Sequence, residues 1–171
     1  MRLSGITQES LVDGPGLRYV IFTQGCPHRC PHCHNQDSWD TDAGREFSVK
    51  QIIRLLKKQN KTIRGITFSG GEPFLYAHEL SQVAQFAQKT GWDVVTYTGY
   101  TYEQLTEENN CSEASSSDSI KALLAASNIL IDGKYIHEKR TTRLLFRGSR
   151  NQRMIDIAAT WEKGKVVLWK E

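Results

Sequence analysis

The sequence predicts a single-domain α/β fold whose sheet is mostly parallel and built from right-handed crossovers. Three observations predict it. Short β-branched and aromatic runs alternate with amphipathic helical patterns, as in βαβ units. Four strand-like runs each carry an unusual loop at the C-terminal tip, which places one shared site at one rim of the sheet. The 171 residues suit one domain that buries a core without disulfide staples.

In chain order, residues 1–16 read as irregular and end in the turn signal Gly14-Pro15-Gly16. Residues 17–23 form the first strand, broken by Gly25, so the segment that follows hangs from a strand's C-terminal end. Ser48-Val49-Lys50-Gln51 reads as a capping box. Val49, Ile52, Ile53 and Leu56 then recur at helical spacing, and Lys57, Lys58 and Lys61 complement that helix's C-terminal end. Residues 65–68 are the second strand, with Ser69-Gly70-Gly71-Glu72-Pro73 at its tip. Leu80, Val83, Ala84 and Ala87 mark a helix that Gly91 ends. Residues 93–97 are the third strand, tipped by Thr98-Gly99-Tyr100. A short helix over 101–108, a mobile polar loop over 109–119 and a helix marked by Ile120, Leu123 and Leu124 follow. Residues 128–132 are the fourth strand. Beyond Lys134 the periodicity weakens; 144–146 and 166–169 read as short strands, the latter after a turn at Gly164. No repeat or linker divides the chain, so 1–171 is expected to be one domain, with a core over about 11–152 and a C-terminal extension over 153–171.

Composition excludes several classes. With 39% hydrophobic and 24% charged residues the chain reads as an ordinary soluble protein. It has no run near the ~20 apolar residues of a membrane span, and Met1 to Gly5 lack the apolar core of a signal peptide. A cytoplasmic location is expected, where clustered thiols point to metal rather than to disulfides. Charge is uneven. Residues 134–171 hold ten Lys/Arg against four Asp/Glu, a net of +6, while the rest is net negative. Such a segment is either a solvated basic face or a surface for an acidic partner or nucleic acid.

The chemistry concentrates in Cys26, Cys30 and Cys33, spaced C-x3-C-x2-C. The other cysteine, Cys111, lies in the polar loop and reads as a non-ligand. Structural metal sites close their coordination with protein ligands, and a cubane cluster takes four. Three thiols therefore leave one position open. On the cysteines and histidines alone, a zinc site completed by His34 remains an alternative, and His28 and His32 are ambiguous.

Taken with its flanks, the pattern resembles the radical S-adenosylmethionine enzymes. Asp13-Gly14-Pro15-Gly16-Leu17-Arg18 and Ser69-Gly70-Gly71-Glu72-Pro73 are similar to motifs of the glycyl-radical-enzyme activases among them. Asp132-Gly133-Lys134-Tyr135 and Arg147-Gly148-Ser149-Arg150-Asn151-Gln152 resemble the branch acting on anaerobic ribonucleoside-triphosphate reductase, and the likeness runs from about Leu11 to Gln152. The resemblance implies an incomplete, open (β/α) barrel whose gap faces a partner. It implies a [4Fe–4S] cluster on Cys26, Cys30 and Cys33 with S-adenosylmethionine on the open iron. By the same resemblance Gly70 and Gly71 serve the methionine end, Glu72 holds either that loop's shape or the amino group itself, and Thr96 and Thr98 serve the ribose. Asp132 and Lys134 fall on the cofactor side. His32 stands where the family carries an aromatic near the adenine, and His34 is grouped with the cofactor. The implied reaction takes an electron from a flavodoxin or ferredoxin and cleaves the cofactor to methionine and a 5′-deoxyadenosyl radical. That radical removes a hydrogen from a glycine Cα of a large glycyl radical subunit, the anaerobic ribonucleoside-triphosphate reductase, in deoxyribonucleotide synthesis. The alternatives are an activase of a formate-lyase-like glycyl radical enzyme, a radical enzyme acting on a small molecule, and a zinc-binding nucleic-acid module. No membrane partner is expected.

Overall fold

The computed structural model describes residues 1–59, 62–107 and 115–170. Lys61, Cys111 and most of the polar loop expected over 109–119 lie outside the described residues.

The chain opens with strand β1 (Arg2–Ser10), which turns back through residues 11–17 into β2 (Arg18–Thr23) as an antiparallel pair. Strand β1 corrects the reading of residues 1–16 as irregular. Its Thr7-Gln8-Glu9 run is exposed, so no apolar alternation marked it; backbone pairing with β2 holds it extended, and Leu3 anchors it in the core. After the cysteine loop comes β3 (Arg45–Glu46), a two-residue edge on β1. Helix α1 (Val49–Leu56) starts at the expected capping box, with Ser48 accepting from the Gln51 N–H and the Gln51 side chain accepting from the Ser48 N–H. Strand β4 (Gly65–Gly70), helix α2 (Ala77–Lys89) and strand β5 (Asp93–Tyr97) follow. Gly91 takes φ +85° just past α2, the left-handed turn that ends helices. Helices α3 (Tyr102–Thr106) and α4 (Ser117–Ala125) precede β6 (Ile129–Asp132).

The last third departs from expectation. Residues 144–146 are turn, with Phe146 at φ +59°, and not a strand. Strand β7 (Arg153–Asp156) pairs antiparallel with β6, so the sheet continues past Gln152 into the supposed extension. Helix α5 (Ile157–Lys163) ends at Gly164 in the left-handed conformation, which makes Gly164 a helix cap rather than a hairpin turn. Residues 166–169 contribute only a single bridge, Leu168 to Ile155. Segments this short carry too few apolar positions to show a period.

All seven strands form one sheet in the order β3-β1-β2-β4-β5-β6-β7. The centre, β2-β4-β5-β6, is parallel; both flanks are antiparallel, and the sheet does not close on itself. Helices α1, α2 and α4 cover one face, burying Ile66, Phe68, Val94 and Leu130 against Leu80, Val83 and Leu123. The opposite face carries Val95, Ile129, Ile131 and Met154, packed against Tyr97, Phe146 and Trp169. Among the described residues no helix is long and apolar enough to cross a membrane.

Two arginines brace the sheet, one buried and one half-buried. Arg18 is fully buried; it ion-pairs with Asp93 and donates to Thr67 Oγ1 (3.1 Å) and the Ile66 carbonyl (2.6 Å). Burial lowers its pKa, against the opposing pull of Asp93. Arg153, on β7, joins Asp132, which is 1% exposed, to Glu103 on α3 at 2.7 Å. The Arg153 hydrogen bonds hold the Glu103 carboxyl down at about 2. Arg153→Met is expected to strand the buried Asp132 carboxylate at a cost of about 3 kcal/mol, roughly 5–10 °C in a thermal melt. The melt also has a pH signature. A depressed carboxyl stabilises the fold above the ordinary carboxylate range and loses that effect as pH falls from about 4.5 toward 2. That part of the acid sensitivity is expected to shrink in Arg153→Met; because Glu103 is half exposed, the change is small.

Candidate functional site

The cysteine loop springs from the C-terminal end of β2. Gly25, at φ +93°, donates its N–H to the Ser38 carbonyl (2.8 Å), and the Cys26 N–H donates to the Trp39 carbonyl (3.3 Å), so the loop is closed at its base. Inside it the Cys33 N–H donates to the Cys30 carbonyl (3.1 Å) and the Asn35 N–H to Cys33 Sγ (3.4 Å). Arg29 and His32 hold φ of +45° and +58°, a left-handed conformation uncommon outside glycine and concentrated at ligand sites. All three thiols are free, half-buried and on the wall of one cavity of about 350 Å³. Burial pushes the Cys26 thiol up to about 11 and also raises Cys30. Among the described residues no three His, Cys, Asp or Glu side chains gather into a single-ion site. Zinc needs ligands converging on one point at about 2.0–2.3 Å; the three thiols share one cavity wall.

The neighbouring wall is the tip of β4. A Cβ on Gly70 (φ +95°) would lie 2.6 Å from the Thr23 nitrogen, and one on Gly71 would lie 2.1 Å from the Gly25 carbonyl oxygen. Only glycine lets this turn press against the β2 tip. The Gly71 N–H donates to the Thr23 carbonyl and the Glu72 N–H to the Gly25 carbonyl, both at 2.8 Å. Gly71→Ala is therefore expected to prise the two loops apart; a fall in melting temperature together with lost metal retention would report it.

Glu72 is fully buried. Its Oε1 accepts from the Phe74 N–H (3.0 Å) and the Thr98 hydroxyl (2.9 Å). Its Oε2 accepts from the Gly99 N–H (2.8 Å) and meets His28 Nε2 at 2.8 Å. The His28 ring packs edge-on against Tyr100 at 4.4 Å. One carboxylate thus ties the cysteine loop, its own turn and the tip of β5 together.

The three cysteines, His34, Gly70, Gly71 and Thr98 line the cavity. Five residues singled out in the sequence are not on its wall: Glu72, described above, and four more. Thr96 is buried on the helix side, hydrogen-bonded to Ser127 (2.8 Å), because side chains alternate along β5. The same alternation turns Asp132 toward Arg153 and the Tyr102 N–H (2.8 Å). Lys134 is exposed, although its charge lies close enough to favour the Cys30 thiolate. His32 is exposed and stacks on His137 at 4.3 Å.

Further walls complete the cavity, with Trp39, Tyr97 and Phe146 outside the sequence motifs and Tyr135 and Gln152 within them. Trp39, Tyr97, Tyr135 and Phe146 supply aromatic surface, and the Tyr97 hydroxyl donates to the Phe146 carbonyl (2.9 Å). Burial pushes the Tyr97 pKa upward. Period-two alternation was the available signal for Tyr97. Gln152 folds the last wall: its Oε1 accepts from the Gly148 and Ser149 N–H groups (2.9 and 3.2 Å), and its Nε2 donates to the Gly133 carbonyl (3.1 Å). Asn151 Nδ2 donates to the Lys134 carbonyl (2.8 Å).

Three free thiols and a glycine pair on one cavity, at the C-terminal rim of parallel strands, define a metal-cluster-binding α/β domain. The sequence family described as a 4Fe-4S single cluster domain matches residues 12–155, and the chain belongs to that family. It is similar to three proteins named anaerobic ribonucleoside-triphosphate reductase-activating protein. The one from Vibrio cholerae is 35% identical over 83% of this chain and 89% of its own. That from Escherichia coli is 32% identical over 83% and 90%, and that from Haemophilus influenzae 33% over 83% and 89%.

Proposed function

We propose that this protein is a radical S-adenosylmethionine activase that installs a glycyl radical on an anaerobic ribonucleoside-triphosphate reductase. The observation that carries the reading is the shared cavity: three thiols of a C-x3-C-x2-C loop on one wall and Gly70-Gly71 on the next. On this reading the open sheet, with helices on one face, is an incomplete (β/α) barrel working in the cytoplasm.

The residues fit the cofactors. Cys26, Cys30 and Cys33 would hold a [4Fe–4S] cluster and leave one iron without a protein ligand, and the space beside them is wide enough for a second group. When bound, the cluster and S-adenosylmethionine supply reductive cleavage of a carbon–sulfur bond and, from it, hydrogen abstraction at a glycine Cα. The chain supplies position. Gly70 and Gly71 bring bare backbone to the cavity, where carbonyls accept from an ammonium group. Glu72 acts through that turn rather than on a ligand, since its two oxygens already take four partners. Thr98 lines the wall while donating to Glu72. Trp39, Tyr135 and Phe146 keep water from the reacting space. The electron donor is a flavodoxin or ferredoxin.

The test is anaerobic reconstitution. About four irons and four sulfides per chain are expected, with an electron paramagnetic resonance signal of the reduced protein that changes on adding S-adenosylmethionine. Adding the reductase should then yield a stable radical on that protein. Stoichiometric zinc without such a signal would overturn the reading.

A further inference from the structure

Residues 139–155 hold six Lys/Arg and no Asp/Glu. Of these, Arg153 is neutralised by Asp132 and Glu103. Arg140, Arg143 and Arg150 are not; among the described residues no ion pair reaches them, and all three are exposed. They surround one surface depression together with Thr141 and Thr142. The loop that carries them is already folded. Arg140 bridges Ser149, the Thr141 N–H donates to the Gly148 carbonyl (3.1 Å), and the Arg150 N–H donates to the Lys139 carbonyl (2.9 Å). The same loop lines the site cavity with Phe146, Arg147 and Gly148.

From this juxtaposition we infer that Arg140, Arg143 and Arg150 form the docking point for an acidic segment of the reductase, set beside the mouth of the cavity. The inference rests on the functional reading above, which supplies the partner. Three guanidinium groups held near one another without counterions repel, and an incoming carboxylate cluster relieves that repulsion. Each planar fork also matches a carboxylate in two-point contact. Because one rigid loop carries both the cationic depression and a wall of the cavity, a segment seated on the arginines fixes where the rest of the partner lies over the thiols. Charge complementarity of this kind chiefly sets encounter rate and orientation.

The experiment compares the full chain with a triple variant, Arg140→Ala, Arg143→Ala and Arg150→Ala. A control removes equal charge from the helix side, as Lys50→Ala, Lys58→Ala and Lys89→Ala. Affinity for the reductase is measured by calorimetry at several salt concentrations. The arginine variant is expected to bind at least about tenfold more weakly, with a flatter salt dependence, and the lysine control to bind as the parent does. Unchanged affinity in the arginine variant overturns the inference, as does an equal loss in the control. Binding of inorganic tripolyphosphate at the depression, with reductase affinity intact, would assign it to a phosphate ligand and overturn it too. Iron content and cleavage of S-adenosylmethionine without reductase read the functional proposal separately. They are expected to be the same in all three proteins; their absence from the parent would sink the activase reading alone.

Discussion

Replacing any one of Cys26, Cys30 and Cys33 by alanine is expected to leave a folded protein that retains no stable cluster. Cleavage of S-adenosylmethionine should then fall by roughly 10³-fold or more, at least about 4 kcal/mol of transition-state stabilisation. The three thiols are half-buried in a loop whose base is closed by backbone hydrogen bonds from Gly25 and Cys26, and none of those bonds needs a sulfur. The apoprotein should therefore melt within about 1 kcal/mol of the parent. Loss of iron without loss of fold separates a ligand from a core residue. Cys111→Ser should retain full iron content, in keeping with its place outside the C-x3-C-x2-C pattern. Active, cluster-loaded Cys30→Ala protein would contradict the assignment of three thiol ligands.

The second large effect is expected at Glu72. Alanine there would leave two backbone N–H groups, a hydroxyl and the His28 ring without their acceptor in a site closed to water. At about 1–3 kcal/mol for each stranded buried group, even partial relaxation leaves a cost of several kcal/mol. Glutamine is not a safe substitute. Each carboxylate oxygen accepts from one backbone N–H, Oε1 from Phe74 and Oε2 from Gly99, so either orientation of an amide sets its NH2 against a donor. Glu72→Gln is expected to destabilise by about 2–3 kcal/mol and to loosen the cysteine loop through His28. Thermal melts of apoprotein, paired with iron retention, would test this. A Glu72→Gln protein as stable as the parent would show that the three loops are held together by something else.

The parallel centre of the fold was legible in the sequence. Its strands and helices carry the strong periods: Ile66 and Phe68 on β4, Val94 on β5, and Ile52 and Leu56 on a capped helix. The flanks were not legible. Strand β1 is polar and held by pairing, and β7 is four residues long. The stretch at Leu144-Leu145-Phe146 looked like a strand by composition, yet it turns at Phe146 to close the cavity.

The candidate site divides in the same way. Cysteine spacing and the Gly70-Gly71 pair declare themselves locally, because close backbone approach and thiolate ligation demand particular residue types. The family resemblance assigned Thr96 and Asp132 to the cofactor, but a one-residue step reverses the face a side chain takes. Tyr97 and Gly133, one residue further along, line the cavity instead. By itself the sequence determined the candidate thiols, their spacing and the rim at which they gather, since these follow from local chemistry and from strand–helix alternation. Only the tertiary structure decided that Glu72 ties three loops together and that Arg153 claims Asp132. It also decided that three arginines without ion-pair partners among the described residues share one depression, on the loop that also lines the cavity. Those outcomes depend on contacts between residues tens of positions apart, which no local period records.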